Sequence, residues 1–122
     1  MQINKKLIIV LIILLQFISL SCKSIAALVD EPKPPAESTL KNLSIYEAQL
    51  TGYALYLEVF LVKAKQKFEN PNFPPFELFD YTKLNKEHTL QAVKTNIEYL
   101  KKHIDNTKPI ALAVYQKYSK LQ

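Results

Sequence analysis

The amino-acid sequence predicts an all-α protein: a small bundle of about three helices, with room for one further short helical turn. The bundle stands behind a proline-rich segment and an apolar N-terminal leader. Apolar residues recur at steps of three and four along two long stretches, and no segment of useful length alternates with period two. A single cysteine in 122 residues permits no intramolecular disulfide, so helix packing has to hold the fold. The folding part, residues 39–122, is of a size that can support one modest core.

Residues 1–21 read as a signal peptide. Lys5 and Lys6 form a positive n-region, and Leu7 to Leu20 form an apolar run broken only by Gln16 and Ser19. The small residue Ser21 stands immediately before Cys22, which is the layout of an export signal. The run is about 14 residues, short of the roughly 20 that a spanning helix needs.

The segment Ile18-Ser19-Leu20-Ser21-Cys22 resembles a bacterial lipobox: an aliphatic residue, small residues, then cysteine. Position −3 is Ser19 rather than leucine, which is closer to the relaxed lipoboxes of spirochaetes, especially Borrelia. The region that follows is Lys- and Asn-rich, free of arginine, helical in pattern and preceded by a short tether. In these respects it resembles the small plasmid-encoded Borrelia lipoproteins of the orf-D family. The resemblance implies cleavage before Cys22. It also implies a diacylglycerol on the Cys22 sulfur, a fatty acyl group on its new amino terminus, and a place in the cell envelope, at the outer membrane. Several acyl chains give stable anchoring where one gives only marginal binding.

Residues 22–38 are expected to form the lipidated cysteine and a flexible tether. Pro32, Pro34 and Pro35 lack amide donors and force extended backbone on their neighbours, so no regular helix passes through them. Ile25 to Val29 is apolar and is expected to lie against lipid or against the domain.

The first long helix carries Leu43, Tyr46, Leu50, Tyr53, Leu57, Phe60, Ala64 and Phe68 on one face. Ser44 and Glu47 have capping-box spacing, so the helix starts at Ser44, or near Thr39 with Ser38 as its cap. It is expected to end before Asn70-Pro71. Gly52 in its interior either kinks it or lets another helix approach. Glu58 falls outside the stripe and is expected to be exposed. Asn70 to Phe76 contains three prolines and must be a loop. Phe73, Phe76 and Phe79 either fold back as an aromatic lid or form an exposed binding loop, and Glu77 to Tyr81 is the place for the extra turn.

The second helix is expected from about Asn85 to Asp105, with Leu90, Val93, Ile97, Leu100 and Ile104 on its buried face. Asn106-Thr107 would then break the chain. Thr107 would cap a third helix, with Pro109 in its first turn and Ile110, Val114, Tyr118 and Leu121 on its inner face.

The composition excludes several functions. Without Lys5 and Lys6 the chain keeps 14 Lys against 11 Asp and Glu, a net charge of +3. Arginine, the fork that reads phosphates and guanine edges, is absent, and the lysines alternate with acids. This argues against nucleic acid. His88 and His103 lie about 22 Å apart along a helix axis, too far to share a metal, and both read as exposed or half-exposed. No metalloprotease, nucleophile-elbow, phosphate-loop or dinucleotide motif occurs. No enzyme, cofactor or small-molecule substrate is implied. Membrane lipid, through acylated Cys22, is one expected partner. A host or bacterial protein is the other, with Tyr56 and Tyr99, which lie off the main stripes, and Phe73 as candidate contacts. The alternative is an envelope lipoprotein acting by self-association of its helices.

Overall fold

The computed structural model describes residues 27–68 and 71–121. The expected signal peptide and Cys22 lie outside the described residues. Among those described, the regular structure is all helical: α1 (Leu40–Phe68), a 3-10 turn (Tyr81–Lys83), α2 (Leu90–Tyr118) and a closing 3-10 turn (Ser119–Leu121).

α1 starts at the earlier of the two expected places. The Thr39 hydroxyl accepts from Asn42 N–H at 3.1 Å and the Thr39 carbonyl accepts from Leu43 N–H at 2.9 Å, so Thr39 itself supplies the cap. α2 starts five residues later than expected. The Thr89 side chain accepts from Ala92 N–H at 3.1 Å, and Asn85 to His88 belong to the preceding connection.

The expected third helix does not exist as a separate element. α2 runs unbroken for 29 residues with Pro109 inside it. Proline removes one backbone hydrogen bond, to the carbonyl four residues earlier. That carbonyl belongs to Asp105, which is exposed and can be met by water. Thr107 caps nothing; it is buried in the helix interface. The buried positions Val93, Asn96, Leu100, Ile104, Thr107, Ala111, Val114 and Tyr118 keep one phase across the expected break, so both halves of the helix pack on α1 as a unit. The side chain of Leu121 lies outside the described residues.

The two helices are parallel. Glu47 pairs with Asn96, Glu58 with His103, and Phe68 with Tyr118, so partner numbers rise together along both chains. Parallel neighbours need a connection that travels back the whole length of a helix. Here that length is about 43 Å, within reach of an extended 21-residue segment (about 70 Å). The connector follows this course: Phe73 packs on Tyr118 (centroids 5.8 Å), Phe79 on His103 (5.2 Å), and Asn85 bonds to Asn96 (2.8 Å). Pro71, Pro74 and Pro75 hold its first part out of helix.

A helix pair leaves a groove on each side, and an extended segment lies in each. The connector fills one. Residues 27–38 lie on the other, non-helical as their prolines require, with Leu28 packed on the core. The Val29 N–H donates to the Tyr56 hydroxyl at 3.0 Å, and the Tyr53 hydroxyl donates to the Val29 carbonyl at 3.2 Å. Glu31 pairs with Lys101 at 2.6 Å and Lys108 at 3.8 Å. The segment is therefore attached to both helices from residue 28 onward.

Candidate functional site

The polar chemistry of the domain collects where the connector crosses the helices. Glu58 is the centre of it. Instead of standing exposed outside the apolar stripe, it is only 6% exposed, because the connector covers the flank of α1 on which it lies. One carboxyl oxygen accepts from Phe79 N–H and lies 3.5 Å from His103 Nε2, while the other is 3.4 Å from the Tyr81 hydroxyl. His103 Nε2 is also 3.3 Å from Thr107 Oγ1. His103 is thus not a loose surface group, whereas His88 is exposed.

The electrostatics follow from this enclosure. Burial holds the His103 imidazole below its ordinary value, outweighing the opposing pull of Glu58 and then Glu77. The Tyr81 phenol is pushed up to about 12, first by burial, then by the Glu58 charge and the hydrogen bond to it. His103 and Thr107 open on one side into a depression of about 380 Å³ lined also by Phe76, Glu77 and Ile110.

A second clasp lies toward the helix N-termini. Asn96 is fully buried, and its amide imitates a backbone pairing. Its Oδ1 accepts from Asn85 N–H at 2.8 Å, and its Nδ2 donates to the Asn85 carbonyl at 2.8 Å and to Glu47 Oε1 at 2.9 Å. Neither Glu58 nor Asn96 is singled out by the sequence. For Asn96 the signal available was its position on the inner face of α2, where a polar residue needs a partner; Glu58 lies on the flank of α1 outside the stripe, and only the course of the connector buries it.

The residues singled out as contacts fare differently. Tyr99 is 46% exposed on α2. Tyr56 is half-buried, with its hydroxyl engaged by Val29. Phe73 is buried between Tyr118 and Phe76, so the aromatic loop is a lid rather than an exposed arm. The structure brings none of the three together.

Outer membrane lipoprotein BBA14 of Borreliella burgdorferi is 56% identical to this chain over 110 residues, covering 90% of the chain and 91% of that protein. The Borrelia orf-D family matches residues 27–120. This chain belongs to the Borrelia orf-D family. It is accordingly a lipid-anchored protein of the cell envelope, at the outer membrane. The orf-D match takes in the N-terminal segment, both helices and the connector, so both clasps lie within it, while Cys22 precedes it.

Proposed function

We propose that this orf-D protein is a non-enzymatic surface lipoprotein, held by acyl chains on Cys22, whose helical domain binds a host or bacterial protein. The observation that carries the reading is the lone cysteine at the end of the apolar leader, just ahead of a domain whose similarity is to an outer membrane lipoprotein. The polar clasps support a binding rather than a catalytic role. Glu58, Tyr81, Asn96 and Glu47 are engaged in holding the connector. The exposed surface of α2 includes Tyr99 among charged neighbours, a combination favoured at partly wet contacts.

Two experiments test the reading. Cys22→Ala is expected to abolish palmitate labelling and release the protein from membranes; a labelled mutant sinks the anchor. Protease added to intact cells is expected to remove the protein, and its survival sinks the surface-facing, partner-binding role. Where it is removed, Tyr99→Ala is expected to weaken capture of the partner from serum or envelope extract.

A further inference from the structure

α1 has two apolar faces, and only one of them is covered. Leu50, Leu57 and Ala64 point into the core. On the opposite side Ile45, Ala48, Gly52, Leu55, Val59 and Val62 step 3-4-3-4-3 along the helix, all exposed. The four large residues of this line are between 37% and 51–52% exposed. Between Lys41 and Lys63, themselves exposed, no fully exposed position of α1 carries a charge; Glu47 and Glu58 are turned toward Asn96 and the connector. α2, of equal length, presents Glu98, Lys102 and Asp105 on its outer side. An exposed apolar face of this extent marks a surface that something covers.

The N-terminal segment indicates what covers it. Val29 is fixed by the Tyr53 and Tyr56 hydroxyls halfway along α1, and with Gly52 it lines a depression at the edge of the uncovered face. Cys22 is seven residues earlier, a reach of at most about 25 Å, roughly half the length of α1. A bilayer that holds Cys22 is therefore always within reach of this face. It acts at the high effective concentration of a short link, whereas a second copy must arrive by diffusion. Val29, itself exposed, adds to the apolar surface at this edge. Lys41 and Lys63 stand at the two ends of the face, where their ammonium groups can meet headgroup phosphates while the stems stay on apolar surface. No helix of the described residues is long and apolar enough to cross a membrane, so contact of this kind is in the plane of the interface.

Resting on the Cys22 anchor proposed above, we infer that the outer face of α1 lies on the phospholipid surface of the membrane that holds the anchor. The helix axis is then parallel to that surface, and α2 with Tyr99 points away from it. The chain contains no tryptophan, so single indoles report depth. Mature acylated protein, beginning at Cys22 and carrying Val59→Trp, Leu55→Trp or, as a control on α2, Leu112→Trp, is placed in phosphatidylcholine–phosphatidylglycerol vesicles with brominated acyl chains. The expected result is quenching several-fold stronger, with a blue-shifted emission, at positions 55 and 59 than at 112. Protein that floats with the vesicles but shows equal quenching at all three positions overturns the docking and leaves the anchor standing. Protein that does not float overturns the anchor and the docking with it. An indole at 59 that shifts only with protein density, without lipid quenching, assigns the face to a second copy and also overturns the proposal.

Discussion

At the scale of single residues, the balance between charge and burial decides the behaviour of Glu58 and its neighbours. Removing the Glu58 side chain leaves Phe79 N–H and the Tyr81 hydroxyl without their acceptor, at a cost of about 1–3 kcal/mol. The adjacent exposed residue carries no such penalty. Glu58→Ala is therefore expected to lower unfolding free energy by that amount in a denaturant titration, against about 0.5 kcal/mol or less for Val59→Ala. His103 sets a pH dependence. Its folded-state affinity for a proton is depressed by burial, so below about pH 6.5 the unfolded chain takes up the proton more readily. Stability then falls as pH falls through that region. His103→Gln is expected to flatten the acid side of a thermal-melt series between pH 7 and 5.

At the scale of elements, the two helices show what periodicity conveys and what it hides. The α1 stripe was legible because Leu43, Leu50, Leu57 and Ala64 are apolar and its end is marked by Asn70-Pro71. α2 departs from its expected bounds because two of its buried positions, Asn96 and Thr107, are polar. Reading only apolar letters moves the stripe to Ile97 and Ile110, both half-buried, and suggests a break where the phase in fact continues. The partners in the clasps could not be read: that of Asn96 is a backbone pair 11 residues away in a connector without periodicity. The same elements carry two local imperfections. Gly52 has open space where a Cβ would stand, so Gly52→Ala is expected to stabilise by up to about 1 kcal/mol. Pro109→Ala restores a helical N–H at an exposed site and is expected to raise the melting temperature, bounded by the roughly 3 kcal/mol that an interior proline costs.

At the scale of the whole molecule, the extended segments complete the helix pair. Residues 27–38 contribute the Leu28 contact, two tyrosine hydrogen bonds and the Glu31 pairs. Of these the partly exposed ion pairs are worth the least, about 0–1 kcal/mol. A chain beginning at residue 39 is expected to keep its helical circular dichroism but melt below one beginning at 27. In a domain of this size each kcal/mol lost lowers the midpoint by about 4–8 °C. Equal midpoints would show that the segment contributes nothing to the fold. The architecture as a class, all-helical, was legible; the aromatic lid is one of the two arrangements the loop sequence allowed. The parallel arrangement was not, because helical stripes state which faces are buried and say nothing of direction.

The parallel arrangement also bears on how the chain reaches its native state. In a helical hairpin, contacts between neighbouring helices begin next to the turn, where the loop to be closed is short. Here Glu47 and Asn96 are 49 residues apart, and Phe68 and Tyr118 are separated by almost the same distance. No register point is close in sequence, so every contact between the helices requires a long loop closure before any packing energy is returned. Folding speed follows the sequence separation of native contacts. This protein is expected to refold slowly for its helix content, with preformed helices waiting on the search that brings them side by side.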